Sequence, residues 1–297
     1  MLYSKKVKLQ DKLFKGAFLL CAFFSVTALA VISVFLFANG LPFIFKTGVG
    51  NFLFGTSWHP LGEPPSYGIL PMIAGSVYVT AFSVVIGATI GLFTSICLYK
   101  FIPEKAVAPI MHLINLLAGI PSVIFGLIGM TYIVPFVREY ISPTGVGEGI
   151  FSTSIVLAVM ILPTIVSVSL NSLKSVPKEY FEGALALGAT KEQATFTVML
   201  PAAKSGVLSG VVLAIGRAIG ETMAVIMVIG GSPEMPESIF QSVMTMTSNI
   251  AMGAMELTGD ALTALISTGV VLFVFTLLLN LSFSFLKDKD VYKKERK

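Results

Sequence analysis

Two residues of this chain stand where charge is costly. Arg217 and Glu221 lie four apart in the stretch GRAIGETMAV, residues 216–225, inside an apolar run from about 206 to 229. A charged side chain at the centre of a membrane helix costs roughly 2.5–3.5 kcal/mol on insertion scales. On a continuous helix these two would share a face and be within reach of each other. The pair could neutralise itself and lock helix packing. Alternatively, the guanidinium could stand beside a path through the membrane and offer five N–H donors to a tetrahedral oxyanion. Glu221 would then hold its geometry and keep the site from becoming a permanent anion trap.

Other chemistry finds little support. His59 and His112 are isolated, and no HxxxH or CxxC spacing suggests a metal site. Cys21 and Cys97 sit inside apolar runs and read as packing residues. The stretch GALALGATK, residues 183–191, contains G-x-x-x-x-G, but Ala189-Thr190-Lys191 follows where a P-loop needs Gly-Lys-Ser/Thr. GVGEG, residues 145–149, reads as a glycine-rich turn. Neither a catalytic triad nor a paired carboxylate is visible, so the chain reads as non-catalytic and without a cofactor of its own.

The elements that must position Arg217 are membrane helices. Of 297 residues, 55% are hydrophobic and only 12% charged, about half the charged share of soluble domains; mean hydropathy is +0.88. Six segments are long enough to cross about 30 Å of hydrocarbon: roughly 16–38, 71–99, 107–136, 151–172, 205–230 and 262–286. Pro109 and Pro121 interrupt the third and Pro163 the fourth, which membrane helices tolerate. The amino terminus imitates a signal peptide, with Lys5 to Lys15 before an apolar run and Ala28-Leu29-Ala30 as small-x-small. The run continues to Ala38, which predicts a retained first helix.

Basic residues set the orientation. Five lysines precede the first span. Lys100 and Lys105 follow the second, and Lys174, Lys178, Lys191 and Lys204 follow the fourth. Six more lie between Lys287 and Lys297, so seventeen of the 20 Lys and Arg fall on one side. Lys46 and Arg138 fall opposite, and Arg217 is left within a span. The reading is an all-α integral membrane protein of six transmembrane helices with both termini cytoplasmic. Residues 1–15 form an amino-terminal tail; 16–70 hold the first helix and an extracytoplasmic segment. Residues 71–286 form the core transmembrane domain, with a cytoplasmic loop at 175–204, and 287–297 form the tail. Trp58 and Tyr67 suit a membrane interface. Residues 231–261 carry Glu234, Glu237, Glu256 and Asp260 and no basic residue.

The cytoplasmic loop has its own punctuation. Pro177 suits a first helical turn, Gly188 a carboxy-terminal cap, and Thr190 with Gln193 a T-x-x-Q capping box. Leu200-Pro201 would end the second helix. Two short helices result, with Tyr180, Ala184 and Leu187 on one apolar face and Phe196 and Met199 added by the second. Such a hairpin could lie on the membrane surface, fold back on its bundle, or dock into a groove of another protein.

Glu182-Gly183-Ala184, then Gly188, then Val198-x-Leu200-Pro201 resemble the EAA signature of ABC importer permeases: E-A-A, three residues, G, nine residues, I-x-L-P. Every spacing matches; Gly183 replaces the first alanine and Val198 the isoleucine. PPSYGILPMIAGSVYVT (64–80), LLAGIPSVIFGLIGM (116–130) and GRAIGETMAV are similar to phosphate importer permeases of the PstC type. The resemblance implies the ABC type I importer permease fold in the inner (cytoplasmic) membrane of a prokaryote, a multi-pass protein that imports inorganic phosphate. It implies that the hairpin, through Tyr180, Glu182, Gly183, Ala184, Gly188, Val198, Leu200 and Pro201, couples to an ATPase. The partners it implies are a homologous PstA-type permease, two cytoplasmic PstB-type subunits that bind ATP and Mg, and an extracytoplasmic PstS-type phosphate-binding protein. It also favours the pathway role for Arg217 and Glu221. Rival readings are a permease for sulfate or molybdate, a secondary anion carrier and a membrane-embedded enzyme. A carrier would need ion-coupling groups and usually an internal repeat, and neither is visible here.

Overall fold

The computed structural model describes the backbone of residues 2–295 and the side chains of residues 12–282. The orientation count also used Lys5, Lys6, Lys8 and the six basic residues from Lys287 to Lys297, whose side chains lie outside the described residues.

Among the described residues, six helices are long and apolar enough to cross a membrane. The first, α1 (Leu2–Thr47), runs on past residue 38. Residues 12–32 of it are exposed, and it meets the bundle from Leu36 onward. A one-turn helix α2 (Val49–Phe54) and a two-stranded antiparallel hairpin, β1 (Trp58–His59) with β2 (Ser66–Tyr67), follow. Trp58 does not reach for an interface. It is 6% exposed and packs edge-on against Tyr67, with ring centroids 6.3 Å apart, in a cluster with Phe43, Phe52 and Met72.

The second span is α3 (Leu70–Ile96) with a π-helical end, Cys97–Phe101. α4 (Glu104–Gly119) follows and packs Val107 against Leu98, Val166 and Leu170. The sequence predicted one third span over 107–136. Instead the chain breaks at Ile120 and Pro121, whose ψ values are 128° and 140°. Proline has no N–H to donate and drives the preceding residue out of the helical region. The span proper is Ser122–Ile141. It contains α5 (Ser122–Ile128) and α6 (Val134–Phe136), each followed by a π-helical turn.

α7 (Ile150–Lys174) is the central pillar and stays helical through Pro163. Small residues let its neighbours close on it. On α3, a Cβ at Gly87 or Gly91 would lie 2.8 Å from Ile161 or Ile165 of α7. Two short helices follow, α8 (Lys178–Ala186) and α9 (Lys191–Gln193). α9 runs through a π-helical stretch, Ala194–Met199, directly into α10 (Leu200–Gly220). Leu200-Pro201 therefore does not end the second hairpin helix. Residues 191–220 form one rod of 30 residues, in which Pro201 follows directly on the π-helical stretch Ala194–Met199.

α11 (Met223–Ile229), α12 (Met246–Gly253) and α13 (Gly259–Glu295) complete the chain. α1 and α13 pair where the Ser267 hydroxyl donates to the Gly40 carbonyl at 2.9 Å. Cys21 and Cys97 are exposed free thiols rather than packed core residues. The apolar runs that contain them turn those positions outward.

Candidate coupling hairpin and helix break

The hairpin between α7 and α10 is built by its caps. Pro177 is the N-cap of α8. Gly188 takes φ +89°, a left-handed conformation that costs a side-chain-bearing residue roughly 1–2 kcal/mol. The Gly188 N–H donates to the Leu185 carbonyl at 2.9 Å and the Ala189 N–H to Ala184 at 3.1 Å, a Schellman closure. The capping box forms as the sequence indicated. Gln193 N–H donates to Thr190 Oγ1 at 3.2 Å, and Thr190 N–H to Gln193 Oε1 at 2.9 Å.

The buried face differs from the expected one. Phe181 is 6% exposed and packs with Ala184 and Leu185 against Ile96, Leu173, Val176, Met199 and Val207. Tyr180 and Leu187 point away, at 55% and 91% exposed, with Phe196 at 43%. The apolar residues thus divide. Phe181, Ala184 and Met199 bind the hairpin to the ends of α3, α7 and α10, while Tyr180, Leu187 and Phe196 remain outside. The sequence carries the i, i+3, i+4 pattern of Phe181, Ala184 and Leu185 beside the i, i+4, i+7 pattern of Tyr180, Ala184 and Leu187. Periodicity alone does not say which side faces the bundle. Lys100 adds a clamp, its Nζ 3.4 Å from the Phe181 ring centroid. Glu182 and Gly183 are exposed, Val198 and Leu200 half-buried, and Pro201 exposed.

The second feature is a break in the fifth span. Arg217 lies in the last turn of α10, which stops at Gly220. Glu221 is extended, at φ −69° and ψ 133°. The two residues therefore do not share a continuous helix. Among the described residues the ion pairs are Lys46–Asp260 and Arg138–Glu148, and Arg217–Glu221 is not one of them. Each charge is complemented by a helix end instead. Arg217 sits near the carbonyl end of α10, a favourable place for a cation. Glu221 Oε1 accepts from the Ala224 N–H at 3.3 Å, in the first turn of α11.

Breaking a helix inside a membrane frees backbone groups that need partners. Hydroxyls supply them here. Thr222 Oγ1 donates to the Gly220 carbonyl at 3.3 Å, and Thr247 Oγ1 on α12 donates to the Glu221 carbonyl at 2.9 Å. α12 is in turn tied to α3, where Ser76 Oγ accepts from the Met246 N–H at 2.9 Å. Ser76 and Thr247 escaped sequence reasoning because their partners lie 170 and 26 residues away. The break itself had a local signal in Gly220 followed by Thr222, a helix terminator and an N-cap.

Six spans among the described residues, a capped hairpin on one face and a cation outside any ion pair there at a helix break are the features of a membrane permease. Comparison with known proteins agrees. Residues 87–289 match the family described as binding-protein-dependent transport system inner membrane component, and the chain belongs to that family. A probable ABC transporter permease, YqgH of Bacillus subtilis, is 38% identical over 273 residues, covering 91% of this chain and 88% of that protein. The phosphate transport system permease protein PstC of Mesorhizobium japonicum is 32% identical over 294 residues, covering 93% and 89%. Among solved structures, the chain resembles a bacterial alginate ABC transporter, with TM-score 0.59 and 13% identity over 90% of this chain and 94% of that one. It also resembles the inward-facing MetNI methionine transporter, with TM-score 0.56 and 21% identity over 72% and 92%. The chain is a multi-pass ABC importer permease subunit of the inner membrane, non-catalytic, working with a partner permease, a separate ATPase and a binding protein.

Proposed function

We propose that this subunit carries inorganic phosphate, and that Arg217 is the group that meets it. The observation that carries the reading is the Arg217 guanidinium, half-buried at the end of α10 and without an ion pair among the described residues. An unpaired guanidinium within a span has donors to give a tetrahedral oxyanion. Relatives named as phosphate permeases, 32–35% identical, support the substrate. Glu221 shapes the break by capping α11 and leaves the guanidinium open.

The seventeen basic residues put both termini and the hairpin in the cytoplasm. There Tyr180, Glu182, Leu187 and Phe196 face outward to a PstB-type ATPase that binds ATP and Mg, while Phe181 and Lys100 pass its movement to the bundle. Gly183, Ala184, Gly188, Val198, Leu200 and Pro201 set the hairpin's shape. A PstA-type subunit supplies the other half of the pathway and a PstS-type protein delivers phosphate. The test is uptake of radiolabelled phosphate by the reconstituted complex, with Arg217→Gln and Arg217→Glu variants and with sulfate and molybdate as competitors. The reading expects uptake to collapse in both variants, with wild-type uptake resistant to sulfate and molybdate. Intact uptake in either assembled variant would refute the role of Arg217. Preferred transport of another oxyanion would refute the substrate.

A further inference from the structure

A cavity of about 690 Å³ opens where the end of α3, the start of α4 and the hairpin meet. One wall is apolar, formed by Leu98, Val107 and Met111. The other carries three lysines, Lys100, Lys174 and Lys178. Lys174 and Lys178 enter no ion pair among the described residues. The Lys100 ammonium has one side against the Phe181 ring and also lines the cavity. Glu104 and Glu182 also line the space, so the lining carries one net positive charge from three lysines and two carboxylates. Glu104 lies in the first turn of α4, where a carboxylate is favoured by the helix start. Three ammonium groups against two carboxylates leave one positive charge uncancelled in the lining, and a multi-oxygen anion would neutralise it.

We propose that this cavity binds a phosphate group through Lys100, Lys174 and Lys178, borne by an anionic phospholipid or by free inorganic phosphate. Basic pockets between helices at the cytoplasmic boundary recognise anionic headgroups, and the apolar wall matches an acyl chain. The inference rests on the orientation proposed above, which places the cavity at the cytoplasmic surface. It makes the cavity a contact between membrane composition, or cytoplasmic phosphate, and the hairpin, because Lys178 belongs to α8 and Lys100 packs on Phe181.

The test uses the assembled transporter in detergent, in wild-type and Arg217→Gln backgrounds, so that failure of the pathway reading leaves this one measurable. One arm scores retained phosphatidylglycerol against phosphatidylcholine by native mass spectrometry. The other scores radiolabelled inorganic phosphate by equilibrium dialysis without lipid. At about 1 kcal/mol per lysine near an anionic surface, Lys174→Gln with Lys178→Gln should weaken phosphatidylglycerol retention roughly thirtyfold. Lys174→Arg with Lys178→Arg should restore it, and Lys12→Gln with Lys15→Gln, on the same side, should leave it unchanged. Loss confined to the dialysis arm assigns the site to free phosphate. Unchanged binding in both arms, or equal loss in the Lys12/Lys15 control, overturns the proposal. Should the double variant fail to assemble, Lys178→Gln alone gives the same reading with about a fivefold effect.

Discussion

Replacing Phe181 with alanine should loosen the hairpin from the bundle while leaving the six spans in place. The side chain is 6% exposed, and its neighbours Ile96, Leu173, Val176 and Met199 come from three other parts of the chain. Truncating a buried phenylalanine costs about 3–5 kcal/mol. The Lys100 ammonium, 3.4 Å from the ring centroid, adds about 0.5–1 kcal/mol. The loss falls on a local opening reaction, because α8 has caps at both ends but this one large anchor. Taking about 3 kcal/mol as the smallest loss, hydrogen exchange of the α8 amides should speed up by about 150-fold. Exchange in α7 should stay as it was. Mass-spectrometric exchange on the assembled complex reads both. The same samples should hydrolyse ATP with less transport per ATP, since the stroke enters a hairpin no longer fixed to α3 and α7. Phe181→Leu, which keeps most of the apolar volume, should fall between. Exchange in α8 within a factor of two of wild type would show that Phe181 does not hold the hairpin.

Other outcomes follow from single contacts. Thr247→Val leaves the Glu221 carbonyl without its hydroxyl donor and should cost about 1–3 kcal/mol, read as a lower thermal midpoint that Thr247→Ser restores. Gly91→Leu drives a side chain into Ile165, already 2.8 Å from an added Cβ. It should cost at least about 1–3 kcal/mol and lower the yield of assembled complex, whereas a lipid-facing substitution such as Val85→Leu should not. Gly183→Ala meets nothing within 4 Å on this chain. It should stabilise α8 by about 0.5–1 kcal/mol, seen as slower α8 exchange. Loss of ATPase binding in that variant would mean the partner needs the glycine for close approach.

Composition and run length were enough to read a helical membrane protein with six spans, because hydrocarbon demands about 20 consecutive apolar residues whatever the neighbours are. Capping is equally local, so Gly188 and the Thr190–Gln193 box were legible before any fold. The spaced signature from Glu182 to Pro201 was legible too, as a resemblance. Which hairpin face is buried depends on α3, α7 and α10 arriving beside it, so periodicity could not single out Phe181 over Tyr180 and Leu187. The breaks at Pro121 and Gly220 were visible as residue types, but hydropathy runs straight through them, and a helix through either was as apolar as a break. Only the fold decided that Arg217 and Glu221 part company. Thr247, brought in on α12, satisfies the carbonyl that a broken helix exposes, with Arg217 left in the last turn of α10 and Glu221 bonded to the start of α11.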